Sequence, residues 1–265
     1  MARRLLAAAT LGVTLGPFAG VLLAPAPSGA ATTTATSAPP ASSTTAPTVN
    51  VALLGDALTA AKGEQSVHFV ATSGKTGRSE TVTESTSPTA GIQRILLRTK
   101  SATGHVSGVF MNQIVYFRGD AFGLEGYLGM PATLAGKYAG RWIFFSPATK
   151  DYGPIEKTFT LDGAISQINM KGPYRRVTAT VDGQPAITVT GTMVTKTKKK
   201  AKKTKGAKVT LAVAATGTPL PIRFTEKGTP SAGETGTVDF SKWGLKVAPK
   251  APQGAIAASS IESTG

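Results

Sequence analysis

From Val49 onward apolar side chains recur with two different periods, and the switches between them divide the chain into elements. Leu54, Leu58 and Ala61 fall at helical spacing and predict a first helix that ends near Gly63. Ser66 to Ser73 then alternates, with Val67, Phe69 and Ala71 on one face and His68, Val70 and Thr72 on the other. A turn is expected at Ser73 to Gly77, followed by alternating segments over Arg78 to Ser85, Ile92 to Arg98, His105 to Met111 and Ile114 to Arg118. Asn112-Gln113 between the last two suits a tight hairpin turn. The run reads as a meander of short antiparallel strands.

The period then changes. Leu124, Leu128, Leu134 and Tyr138 recur at helical spacing, interrupted at Met130-Pro131, which predicts two short helices. Arg141 to Phe145 is a compact aromatic strand closed by Ser146-Pro147, and Leu161, Ile165 and Ile168 place a further helical segment within Tyr152 to Met170. Alternation returns over Arg176 to Asp182, Ala186 to Val194, Lys208 to Ala215, Leu220 to Glu226 and Thr237 to Phe240. Strands, a helical insert and strands again predict an α+β fold, one extended antiparallel sheet with helices on one face. Strands that do not alternate with helices disfavour a doubly wound parallel sheet.

The N-terminus follows another logic. Met1-Ala2-Arg3-Arg4 is a short basic start before a mostly apolar run from Leu5 to Ala24, interrupted by Gly16-Pro17, with small residues at Ser28-Gly29-Ala30. This is the pattern of a signal peptide, residues 1–30, cleaved near Ala30; an uncleaved N-terminal anchor is the alternative. Ala31 to Thr48 contains only Ala, Thr, Ser and Pro. It cannot bury enough apolar surface to offset ordering entropy and is expected to be a disordered linker, residues 31–48. The folded domain is placed at residues 49–256, with a tail at 257–265.

Composition sharpens this outline. The chain has 265 residues, 29 Lys plus Arg against 14 Asp plus Glu, and no cysteine. The missing thiol excludes disulfides, thiolate metal sites, thiol catalysis and a lipidated N-terminal Cys. The net charge of +15 is unevenly spread: Lys196, Lys198, Lys199, Lys200, Lys202, Lys203, Lys205 and Lys208 supply eight of it from one expected hairpin loop, residues 196–208. Self-repulsion keeps such a loop extended and solvated. It has no Arg for bidentate phosphate contact and no aromatic to stack a base, so specific nucleic-acid recognition is not expected. Its alternatives are a solubilising loop or a non-specific contact with anionic membrane headgroups or wall polymers, screened within a Debye length.

Catalytic patterns are missing. His68 and His105 both fall on predicted strands, and there is no Gly-x-Ser-x-Gly elbow. Lys75-Thr76-Gly77 lacks the companion motifs of the penicillin-recognising enzymes, and Phe69 stands where a phosphate loop ending in Gly74-Lys75-Thr76 would need Gly. No zinc or calcium spacing exists, so no metal and no cofactor is expected. Glu80 and Glu84 flank Val82 on one strand face and read as solvated strand residues. The chain is expected to be non-enzymatic.

An ordered series of segments carries a family resemblance. Tyr116-Phe117-Arg118-Gly119-Asp120-Ala121-Phe122 leads into Leu124-Glu125-Gly126-Tyr127-Leu128-Gly129 and Ala139-Gly140-Arg141-Trp142-Ile143. Thr216-Gly217-Thr218-Pro219-Leu220-Pro221-Ile222 and Phe240-Ser241-Lys242-Trp243-Gly244 follow, then Val247 and Ala251-Pro252. From about Val49 to Ile256 the chain resembles exported actinobacterial proteins related to the LppX and LprG lipoproteins, whose fold is like that of the LolA and LolB carriers. The resemblance implies a strongly curved antiparallel sheet, a half-barrel, with helices in its concave face and acyl chains of a lipid or glycolipid held between them.

On that basis Val67, Phe69, Leu124, Leu128, Leu134, Ile143, Leu211, Val213, Ile222 and Phe224 are the candidate cavity lining, positions that ordinary core packing would equally explain. Trp142, Trp243 and the Pro219-Leu220-Pro221 corner are expected to be structural. Family lipoproteins carry a lipidated Cys, which this chain lacks, so a secreted or wall-associated protein not anchored through Cys is expected. The leading expectation is a secreted lipid-binding protein of the cell envelope. The second is an envelope-surface protein acting through its lysine loop, and an enzyme on lipids or glycans is the third.

Overall fold

The computed structural model describes residues 47–150, 152–193, 207–228 and 235–262. The candidate signal peptide, nearly all of the linker and the lysines from Lys196 to Lys205 lie outside them. Helix α1 (Pro47–Gly63) begins slightly ahead of expectation and buries Leu54, Ala57 and Ala61, with Leu58 packed against the same cluster. The meander follows as β1 (Val67–Lys75), β2 (Arg78–Thr86), β3 (Gly91–Thr99), β4 (Thr103–Met111) and β5 (Ile114–Gly119). Asn112 and Gln113 both adopt positive φ, 50° and 57°, the conformation a two-residue hairpin demands.

Helices α2 (Ala121–Leu128) and α3 (Ala132–Tyr138) occupy the expected insert and are followed by the short β6 (Ile143–Phe145). Asp120 caps α2, its carboxylate accepting from the Gly123 amide, and Gly129 ends the helix in the left-handed conformation. The single helical segment expected before Met170 is instead two helices, α4 (Tyr152–Lys157) and α5 (Leu161–Ser166). The break has a local cause. Phe159 is driven wholly into the core, and Thr160 caps α5 by accepting from the Gly163 amide.

Strands β7 (Met170–Val181), β8 (Gln184–Met193), β9 (Lys208–Ala214), β10 (Pro221–Lys227) and β11 (Thr235–Ser241) form the second meander, β7 starting six residues before its predicted start. The expected tail at 257–265 also departs from prediction. Ile256–Ala257 forms β12, parallel to β6, and α6 (Ala258–Glu262) buries Ala258 and Ile261 in the core.

The twelve strands among the described residues join one open sheet in the order β12-β6-β5-β4-β3-β2-β1-β11-β10-β9-β8-β7, antiparallel except at β12. The two meanders meet where β1 pairs with β11, Phe69 opposite Phe240 and Ala71 opposite Val238. This curved, unclosed sheet with helices against one face is the expected α+β architecture.

The core has two lobes. One gathers β3 to β6 with α2, α3, α4 and α6 around Phe117, Leu124 and Phe159. The other gathers β1 and β8 to β11 with α1 and α5 around Phe69, Leu211 and Phe224. Val82 on β2 packs against both, so β2 is the seam. Close contact in the first lobe depends on absent side chains: a Cβ on Gly108 would stand 2.5 Å from the Phe159 ring, and one on Gly123 would stand 2.5 Å from the His105 carbonyl.

Candidate functional site

The inner face of the sheet is where the two lobes and the helices converge. Phe69 and Ala71 of β1, Val238 and Phe240 of β11 and Phe224 of β10 face Ala164, Gln167 and Ile168 around α5 across a cavity of about 10 Å³. That volume suits about one water molecule. An acyl ligand needs roughly 300 Å³ or more. The described interior is therefore closed at this point, and its walls are mostly apolar.

The ten predicted lining residues divide between the lobes. Phe69 and Phe224 line the cavity, and Val67, Leu211 and Val213 pack in the same lobe. Leu124, Leu128 and Ile143 are buried in the other lobe, where Leu134 packs half-buried at its edge. Ile222 is half-buried at the β9–β10 register shift between Pro221 and Arg223 and belongs to neither cluster. Of the expected structural residues, Trp243 donates from its indole N–H to the Pro221 carbonyl at 3.2 Å and stacks on Phe240 at 5.9 Å.

A buried polar group at the seam was missed. Glu84 lies fully inside, directly across from Phe69 on β1 and Gln93 on β3. The expectation that it is solvated is wrong, because β2 is central and its Glu80–Val82–Glu84 face turns inward. The Gln93 amide donates to Glu84 Oε2 at 2.7 Å, and the Tyr127 hydroxyl donates to Gln93 Oε1 at 3.2 Å. Glu84 Oε1 is buried with no hydrogen-bond partner among the described residues. The neighbouring Thr86 hydroxyl gives its proton to the Phe159 carbonyl. Burial pushes the Glu84 carboxyl up to about 8, outweighing the Gln93 hydrogen bond and the nearby Thr86 hydroxyl, whose own proton is committed to Phe159.

Half-buried Glu80 is pushed up to about 7 by burial, which outweighs the attraction of Arg78, and burial also raises Tyr127. Sequence alone hides this group, because Ser79 to Thr86 is polar on both faces apart from Val82. Only the pairing partners, Phe69, Ile95 and Leu97 among them, show which face is inward.

The histidines sit on the outer side. His68 Nδ1 is 2.9 Å from Ser85 Oγ across β1 and β2, and its pKa is lowered by burial and then by Lys242. A Ser–His pair whose further charged neighbour is a cation lacks the carboxylate that would orient a catalytic imidazole. His105 meets Asp120 at 3.2 Å beside the α2 cap. Burial pulls Asp120 upward, but hydrogen bonds from Gly123 and His105 outweigh it and hold its pKa low.

Among the described residues no group of three His, Asp or Glu side chains is placed to hold a metal ion. Lys208, the one described member of the lysine run, is exposed at the start of β9. Exposed Arg94 and Arg118 flank Ser107 across β3, β4 and β5 on the convex face. Among the described residues no helix is long and apolar enough to cross a membrane.

This architecture has solved counterparts. LprF from Mycobacterium bovis superposes with a TM-score of 0.52 at 17% identity, over 78% of this chain and 98% of its own. The Mycobacterium tuberculosis lipoprotein LppX gives a TM-score of 0.46 at 15% identity, over 77% of this chain and 100% of its own. No protein-family model and no curated protein matches the sequence. The fold is that of LprF, as the ordered motifs implied.

Proposed function

We propose that this chain is a non-catalytic lipid-binding protein that shelters the acyl chains of a lipid or glycolipid between its curved sheet and its helices. The observation that carries this reading is the half-barrel itself, an apolar concave face covered by short helices and divided at β2 into two lobes. The cavity between α5 and β1, β11 and β10 holds about 10 Å³, so an acyl chain entering at this point parts those surfaces. The cost of parting these surfaces is offset when acyl chains replace the lost apolar contacts. The N-terminal pattern supports export, and the missing Cys supports a secreted or wall-associated protein in place of a lipid-anchored one. Native mass spectrometry of protein purified from its own host is expected to find bound acyl lipid. A chain that carries none and takes up none from phospholipid micelles contradicts the reading.

A second reading rests on charge. Eight lysines in residues 196–208, with Arg94 and Arg118 on the convex face, favour contact with anionic headgroups or wall polymers. Deleting Lys196 to Lys205 is expected to abolish sedimentation with anionic vesicles while leaving acyl-chain binding intact. Unchanged sedimentation removes the loop from any such role.

A further inference from the structure

Among the described residues the interior contains a polar arrangement around Glu84 that apolar packing does not explain. Glu84 stands at the seam between the lobes, opposite Phe69, which itself lines the small cavity. The inner faces of β1 and β2 are one strand spacing apart, about 4.8 Å, so the carboxyl borders the strand that forms the cavity wall. Its orientation is fixed from behind: Tyr127 holds Gln93, and Gln93 holds Oε2. Oε1 has no hydrogen-bond partner among the described residues. A buried polar atom in this state carries a desolvation penalty that no hydrogen bond among the described residues repays.

The chemistry of the free oxygen follows from that hydrogen bond. Oε2 accepts from the Gln93 N–H, so in the neutral acid the proton resides on Oε1. Burial favours the neutral acid, and no basic side chain among the described residues acts on the carboxyl. The groups that face it are Gln93 and Thr86, with Tyr127 and Glu80 close enough to interact electrostatically with one another or with it. None supplies a positive charge. Oε1 thus presents an O–H donor to the seam, and its complement is an uncharged acceptor.

We propose that Glu84 is the polar contact of the ligand chamber, donating a hydrogen bond from Oε1 to the ester or amide carbonyl of an acyl lipid whose chains part the two lobes. This rests on the lipid-binding reading and adds a ligand class to it: lipids whose acyl chains carry a carbonyl at chamber depth, in preference to ethers or bare hydrocarbons. Glu84 acts in selection, while the apolar walls provide most of the binding.

The test compares 1-monopalmitoylglycerol with its ether counterpart, 1-O-hexadecylglycerol, by displacement of an environment-sensitive fluorophore from the full chain at pH 7. Wild-type protein is expected to bind the ester roughly tenfold more tightly, the worth of one buried hydrogen bond. Glu84→Leu is expected to erase that preference and leave ether affinity unchanged. Glu84→Gln, whose amide still donates, keeps most of it. Equal wild-type affinities, or a preference that survives in Glu84→Leu, overturn the assignment while leaving lipid binding in place. Binding of neither probe by the wild type removes both readings together. Melting curves at pH 7 establish that the variants are folded, and the wild-type comparison decides the matter even if one variant is not.

Discussion

A carboxyl that titrates near 8 inside the fold and near 4.5 in water releases its proton more readily once the chain unfolds. The sign is therefore unusual for an acid. Glu84 contributes full stability below about pH 4.5, and that contribution falls as pH rises toward 8, with a slope approaching about 1.4 kcal/mol per pH unit. Glu80 adds a similar but smaller loss that ends near pH 7. Asp120 acts in the opposite sense, its depressed pKa withdrawing stability only as pH falls below about 4. Melting temperature is thus expected to decline from pH 5 to 8, and Glu84→Gln to flatten most of that decline. A wild-type melting temperature that rises across this interval contradicts a buried acid. At the same scale, Gly108→Ala forces a Cβ into the Phe159 ring and is expected to cost about 1–3 kcal/mol, measured by urea denaturation.

Among elements, the β4–β5 hairpin shows how a local signal and a tertiary contact combine. Gln113 holds φ of 57° without being glycine, and its carbonyl accepts from the Tyr152 hydroxyl of α4 at 2.7 Å. Gln113→Gly relieves the backbone and keeps that acceptor, so a gain of about 0.5–1 kcal/mol is expected, read as a higher urea midpoint. The hairpin itself was visible in the sequence, because alternation over His105 to Met111 and Ile114 to Arg118 bracketed a polar pair.

Where alternation failed, so did the reading. Ser79 to Thr86 is polar on both faces apart from Val82, so nothing local shows that Glu84 points inward. Phe159 looks like part of a helical run until its burial splits that run in two. Ile222 follows the strand period, but the register shift beside it takes it out of the core clusters. Inward-facing core positions such as Phe69 and Phe224 were legible because a strongly apolar face needs no partner to identify it. The polar contact was not, since its meaning comes from strands distant in sequence.

At the scale of the molecule, the chain closes on itself twice. β1 pairs with β11 across the whole helical insert, and the C-terminal β12 and α6 return to cover β6. Ile261 and Ala258 are buried there, and burying an Ile side chain is worth roughly 1.5–3 kcal/mol. Removing residues 256–265 is expected to lower stability by about 2–4 kcal/mol in urea denaturation, with the loss felt first in the lobe that holds α2 and α3. A truncated chain as stable as the full one would assign those residues to a dispensable tail.

The far edge of the sheet is β7, against which α1 packs. β7 is twelve residues long and pairs on one side, with β8. Edge strands of that length are in general a template on which other extended chains add, the route to aggregation in crowded surroundings. Its composition works against that outcome: Lys171, Pro173 and Arg175 are exposed along it, and a proline removes a donor where a new ladder would need one. Like charges meeting edge to edge repel. The charge along this edge therefore disfavours pairing between copies of the sheet, independently of any lipid.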